Sequence, residues 1–406
     1  MSSLMFRLLP IILIVVMVPS FVEVDITLPA FPQMLKFFSA TESAVQFTLI
    51  VNFLGLCLFT PIFGPLSESY GRRKIILIGA ALFFIGSVGC SISGDLNQLY
   101  LFRFIQGVGC SAIWVVGFII CSDIYKDEES VQVFGILNSA ISAALIMAPI
   151  AGSLIVAHYD WRSTYHLVAL LSFLSLMAVF IIPETNRDTI KLSVNEVARN
   201  YCQLIFNMRF LIYAFTPGLL VSACIAYVSV IPFLYIDKMG MGYYVFAIHQ
   251  AILGICLAVA GFYSGALNRK IGSVNCIYLS IVVCLIGCSA LIIFSHFYPK
   301  SAMPFTLSMA VICIGSAFQY SMVFSHSLAL YPKLVGAASS LLTFFRLIFF
   351  SLSVFISGWA FTGKLFNSAI IVSSIIAIGL LFSLLILIDL RNHAVSRKIN
   401  DRPHVN

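Results

Sequence analysis

Twelve apolar runs, each long enough to cross a bilayer, decide what this chain can become. They fall at 8-28, 45-66, 74-93, 99-121, 131-156, 163-183, 210-236, 244-267, 274-295, 303-326, 335-358 and 366-389. A helix rising about 1.5 Å per residue needs roughly 20 residues to cross the hydrocarbon, where no water is present to satisfy an unpaired backbone group. Runs such as VVCLIGCSALIIF (282-294) lack the period-two alternation of a membrane barrel strand, so the spans read as helices. Composition agrees: 61% of the 406 residues are hydrophobic and 10% charged, too few polar groups to face water all round. The first run follows Arg7 but contains Glu23 and Asp25 and has no small-residue cleavage site. It reads as a permanent helix and not as a signal peptide.

Charge placement sets the expected orientation. With both termini cytoplasmic, sixteen of the 23 Lys and Arg residues fall on the inner side, among them Arg72, Arg73, Lys74, Arg187, Lys191, Arg269, Lys270 and Arg402. The net charge of +7 is then mostly topological, and no nucleic acid is expected as a partner. Ten of the eleven cysteines lie singly within spans and no CxxC pair occurs; they read as small packing residues, with neither a disulfide scaffold nor a metal site. There is no GxxxxGK[ST], HExxH or GxSxG, and the longest loop has 26 residues. Neither an ATP-driven machine nor a membrane-embedded enzyme is expected, and no cofactor.

That longest loop, 184-209, divides the chain into a six-helix bundle at 1-183, a cytoplasmic linker, a second six-helix bundle at 210-390 and a tail at 391-406. Val194, Val197, Tyr201 and Leu204 in the linker are spaced for an amphipathic helix at the interface. Each half carries a short loop between its second and third helices, GPLSESYG (64-71) and GALNRKIG (265-272), with glycines seven apart and leucine third. Two equivalent halves are a repeat architecture of secondary transporters.

GPLSESYGRRK resembles the signature loop of the major facilitator superfamily, with Gly64, Leu66, Gly71, Arg72 and Arg73 matching and Glu68 and Ser69 departing from the usual aspartate and arginine. RFIQGVGCSA (103-112) resembles its fourth-helix motif through Arg103, Gln106, Gly107 and Gly109, and APIAGS (148-153) its antiporter motif through Pro149 and Gly152. DITLPAFPQM (25-34) and DWR (160-162) are similar to the bicyclomycin and chloramphenicol exporters, a bacterial drug:proton antiporter subfamily. The resemblance implies a bacterial inner-membrane protein working by alternating access. It also implies that Gly64, Glu68, Gly71, Arg72 and Arg73 form a conformational latch, for which Asp123 at the end of the fourth helix is the natural ionic partner.

Charged groups inside spans are costly in lipid and mark function. Apart from Lys74 and Asp389 at span edges, they are Glu23, Asp25, Arg103 and Arg346. Glu23 and Arg103 are expected at similar depth with Asp25 slightly shallower, and one proton or one cationic substrate would neutralise the three. Positions 23 and 25 lie about 200° apart on a helical wheel, so they are not expected to face the same cavity. Asp25 matches the subfamily's aspartate and is the first candidate to carry the coupling proton, with Glu23 in reserve. Arg346 lies near the midplane of the eleventh helix without an acid at that depth in its half, beside Phe344, Phe345, Phe349 and Phe350. With Gln106, Asn52 and Gln319 it is a candidate cavity residue, while His249 and His326 read as interfacial. Two substrate readings stay open: drugs or amphipathic molecules, or a specific anionic metabolite such as a carboxylate siderophore. The expected partners are that small molecule, protons and the lipid bilayer, with a monomer as the working unit.

Overall fold

The computed structural model describes residues 3–186 and 193–400, so Arg187, Lys191 and Arg402, counted above for orientation, lie outside the described residues. Among the described residues the structure is helical without a strand. Twelve helices are long and apolar enough to span a bilayer: Phe6–Phe37, Glu42–Tyr70, Arg72–Ile92, Leu96–Ile124, Glu128–His158, Arg162–Val179, Met208–Lys238, Tyr243–Ile271, Ser273–Phe297, Ala302–Ala329, Val335–Trp359 and Leu365–Asn392, called spans 1 to 12. Eleven agree with the sequence reading to within a few residues. Span 1 runs nine residues further than expected, because Pro29 and Pro32 do not end it: the chain tightens into a 3-10 turn over Leu28–Ala30 and resumes as a helix to Phe37. Short polar side chains start others, Asp95 accepting from the Gln98 amide at 2.9 Å and Asn207 from that of Phe210 at 3.1 Å.

Packing repeats with a period of six spans. Span 4 lies against spans 2 and 3, as span 10 lies against spans 8 and 9; span 1 lies against spans 5 and 6, as span 7 lies against spans 11 and 12. In lipid, close packing needs small residues, and the fourth-helix glycines supply them: a side chain at Gly107 would overlap the Asn52 carbonyl of span 2, and one at Gly109 the backbone of span 3. Outward faces keep Ile78, Ile85, Leu381 and Ile388 exposed, as lipid contact allows.

The halves meet mainly through spans 2 and 11 and through spans 5 and 8. We call the end bearing Gly71 and Gly272 the basic end and the opposite one the far end. At the far end Ser43 Oγ donates to the Gly358 carbonyl at 2.5 Å, Lys238 pairs with Glu42 at 3.5 Å, and His158 Nε2 meets Tyr244 Oη at 2.8 Å. Toward the basic end, Ile136 and Asn138 of span 5 and Phe262 and Tyr263 of span 8 are exposed, and Gly135 and Gly261 have open space beside them. The ties between the halves gather at the far end, and toward the basic end spans 5 and 8 have nothing among the described residues packed beside Gly135 and Gly261. The linker helix Val194–Ile205 packs by its apolar face, with Leu204 buried beside Phe210 and Leu341, and Tyr201 donating to the Pro61 carbonyl at 2.7 Å. Burial pushes the Tyr201 hydroxyl up from its ordinary pKa, so it stays a donor.

Candidate functional site

Span 1 carries two carboxylates just before its 3-10 step, and the turn of the helix sends them to different places. Glu23 is sealed within the first half and forms an ion pair with Arg103 of span 4, itself 0% exposed. The same guanidinium donates to Gln106 Oε1 at 2.8 Å and to Thr27 Oγ1 at 3.1 Å, and lies over the Tyr165 ring at 5.2 Å. Gln106 Nε2 in turn donates to Ser87 at 3.0 Å, and Asn52 Nδ2 to the Arg103 carbonyl at 3.4 Å. Glu23, Gln106 and Thr27 occupy the Nη groups of Arg103, while Glu23 Oε1 and Arg103 Nε stay buried without a partner among the described residues, so the pair is only partly compensated for its loss of water. Gln106 and Asn52, expected to line the cavity, are fully buried and serve this network and the packing of spans 2 and 4.

Asp25 shares its face of span 1 with Val18 and Phe21, each partly exposed, the side left over after span 1 packs on spans 4, 5 and 6. It has no ion-pair partner among the described residues. Phe21 stacks on Trp114 at 4.2 Å, giving that face an aromatic floor.

In the second half, Arg346 is partly exposed and its Nη1 donates to Tyr320 Oη of span 10 at 2.5 Å. Its Nε is buried without an acceptor. Gln319 turns the other way, fully buried and donating to Ser383 of span 12 at 2.6 Å. Of the four expected cavity residues, only Arg346 is partly exposed. His249 differs from expectation too: it is buried, its Nδ1 2.8 Å from Thr306 Oγ1, which also meets Tyr235 Oη at 2.8 Å. Its place near the end of span 8 suggested an interface, and only the packing of spans 7 and 10 shows otherwise.

At the basic end, Arg72 Nε lies 3.3 Å from Asp123 Oδ2, and its Nη1 donates to Ser67 at 2.7 Å. The amides of Arg72 and Arg73 donate to Glu184 Oε1 and Oε2 at 2.9 and 3.2 Å. A carboxylate thus sits on the orphan donors and positive pole that begin span 3. Glu184 was not singled out in the sequence; it lies 112 residues away in a loop, with no local signal of where it would fold. Gly71 has φ +98°, and a Cβ there would fall 2.5 Å from Glu184 Oε2, so glycine is required twice over. Gly64 is buried, whereas Glu68 is exposed and held only through its carbonyl, which accepts from Asn186. Pro149 and Gly152 lie buried on span 5, and a side chain at Gly152 would overlap the Ile26 carbonyl of span 1. Arg162 of the DWR stretch donates to the Ser93 carbonyl at 2.9 Å and covers the Phe37 ring, tying the far ends of spans 1, 3 and 6. Among the described residues no three His, Cys, Asp or Glu side chains gather as a metal site.

The sequence profile of the Major Facilitator Superfamily matches residues 13–357. An uncharacterized MFS-type transporter of Bacillus subtilis (strain 168), YdgK, is 28% identical over 326 residues, covering 79% of this chain and 81% of its own. The multidrug resistance protein MdtM of Escherichia coli (strain K12) is 23% identical over 381 residues, 93% of each chain. Two solved structures share the fold: a bacterial homologue of the human lysosomal transporter Spinster in an inward-facing, unoccupied conformation, with TM-score 0.76, 15% identity and coverage of 95% of this chain and 98% of its own. The other is the partially occluded inward-open xylose transporter XylE from E. coli, with TM-score 0.72, 13% identity and coverage of 94% and 97%.

Proposed function

We propose that this chain, which belongs to the major facilitator superfamily, is a proton-coupled exporter of amphipathic small molecules. It is a multi-pass membrane transporter and not an enzyme. The finer reading places it in a bacterial inner membrane with the basic end toward the cytoplasm, taking substrate from that side. Its relatives MdtL and MdtM are multidrug resistance proteins, which supports export of drug-like compounds.

The observation that carries proton coupling is Asp25. Glu23 and Arg103 cancel one another inside the first half, so the excess negative charge of the set rests on an unpaired carboxylate on the open face. A carboxylate in that position is stabilised by one proton or by a cationic substrate, and exchange between the two is antiport. Alternating access then needs the far-end ties between Ser43 and Gly358 and between Glu42 and Lys238 to break as the basic end closes. The direct test is proton release when ethidium, a cationic amphipathic probe, is added to proteoliposomes holding the full chain. Release that disappears in Asp25→Asn supports the reading; ethidium uptake without any proton movement sinks it.

A further inference from the structure

The unmet charge in the second half carries an inference about substrate class. Arg346 is the one charged side chain in the interior of spans 7 to 12, and the two acids at the edges of those spans are engaged elsewhere: Asp389 with Arg209 at 3.0 Å and with Tyr213, and Asp237 with Lys238 at 3.2 Å. A partly exposed guanidinium with no carboxylate beside it among the described residues, and with its Nε–H buried without an acceptor, carries a charge that a bound anion offsets. Tyr320 Oη accepts from Nη1, which leaves its own proton free to donate. The Nη2 amino group, which has no partner among the described residues and is not sealed off, and the Tyr320 hydroxyl on the neighbouring Nη1 therefore offer donors side by side, and a carboxylate has the two oxygens to take them. Around them stand rings: Phe215 of span 7 meets Phe345 and Phe349 edge-on at 5.1 Å each, and Phe324 stacks on Tyr320 at 6.1 Å. Such walls accept a flat ring by offset or edge-on contact better than a flexible chain.

We propose that Arg346 and Tyr320 anchor the carboxylate of an aromatic acid whose ring lies among Phe215, Phe345 and Phe349, so that aryl carboxylates are a substrate class of this transporter. The proposal rests on the exporter reading in taking the exposed side of Arg346 as facing the transport route. It extends that reading by giving the second half a site for negative charge, opposite in sign to Asp25. A substrate with one cationic and one carboxylate end would satisfy both halves.

The test is equilibrium binding of radiolabelled 2-naphthoate to the full chain in nanodiscs, with no proton gradient, against its uncharged analogue 2-naphthamide. The wild type should bind naphthoate at least tenfold more tightly than naphthamide. Arg346→Gln should abolish that preference by weakening naphthoate at least tenfold more than naphthamide, and an unchanged thermal unfolding midpoint shows that the variant is folded. Arg346→Lys, keeping the charge without the fork, should retain part of the preference, and Tyr320→Phe should reduce it about threefold. Equal binding of the two probes by the wild type, no binding of either, or a preference that survives Arg346→Gln would each overturn the proposal. Displacement of naphthoate by 100 mM chloride as effectively as by unlabelled naphthoate would also overturn it, leaving a bare anion site. Because no gradient is used, a failure of Asp25 to couple protons leaves this result standing, and the converse holds.

Discussion

Glu23 and Asp25 stand two residues apart on span 1 and meet opposite surroundings: Glu23 is sealed against Arg103, whereas Asp25 lies on the open face without an ionic partner among the described residues. Substitution should therefore separate them. Asp25→Asn should reduce gradient-driven transport to the level of empty liposomes while substrate exchange continues, since no ion pair among the described residues is lost. Glu23→Gln should act on stability, because a buried arginine left without its carboxylate costs about 3–5 kcal/mol. Thermal unfolding in detergent and transport with an imposed pH gradient measure the two effects. Full gradient-driven transport in both variants would remove span 1 from the coupling machinery.

The loop at the basic end makes a comparison between the halves. Gly71 and Gly272 hold matching backbone conformations, with φ of +98° and +81°, but only Gly71 is crowded, by Glu184. Gly272→Ala should cost only the strain of its positive-φ, extended-ψ backbone, on the order of 1–3 kcal/mol. Gly71→Ala should cost more, since it also displaces the carboxylate that caps span 3. If the two variants lost equal stability in thermal unfolding, the Glu184 cap would contribute nothing.

Arg72 and Asp123 should govern interconversion and not affinity. Their 3.3 Å pair joins spans 3 and 4 at the basic end, away from the open faces of Asp25 and Arg346. Asp123→Asn and Arg72→Ala should slow transport with substrate binding nearly unchanged. A tenfold weakening of binding, equivalent to about 1.4 kcal/mol, would mean that the loop touches substrate or its route.

The sequence reveals spans better than faces. Hydrocarbon thickness and backbone satisfaction fix the length of every helix, so eleven of twelve spans could be bounded closely; span 1 runs on past the stretch of roughly 20 apolar residues that the hydrocarbon requires, through a 3-10 turn to Phe37. Charge is scarce enough in such a chain that Arg72 had one obvious partner at its depth, Asp123. Polar residues without charge gave no such constraint. Asn52, Gln106 and Gln319 could have faced the gap or a neighbouring helix, and helix rotation decides that. Rotation is set by contacts such as Gly107 on the Asn52 carbonyl, which join residues 55 positions apart. The same reason hid Glu184 from view and made His249 look interfacial.

Closure at the far end can be tested by locking it. Ser43 Oγ bonds to the Gly358 carbonyl, and a Cβ built on Gly358 would lie 3.5 Å from Ser43 Cα, within the reach of a disulfide, which tolerates Cα separations up to roughly 7 Å. Cys202 is exposed and Cys224 Sγ lies 3.5 Å from Cys313 Sγ, so a background with Cys202→Ser and Cys224→Ala keeps unwanted pairing low. In that background Ser43→Cys with Gly358→Cys should cross-link spans 2 and 11 on mild oxidation. The halves would then be held together at the far end. Binding of ethidium from the basic end should persist, because that end is unchanged, while net transport should fall to that of empty liposomes and return when a phosphine reduces the bond. Each single-cysteine variant should transport under both conditions, which excludes oxidation elsewhere as the cause. Undiminished transport by fully cross-linked protein would mean that spans 2 and 11 do not part at the far end during the cycle, and substrate would have to leave by another opening.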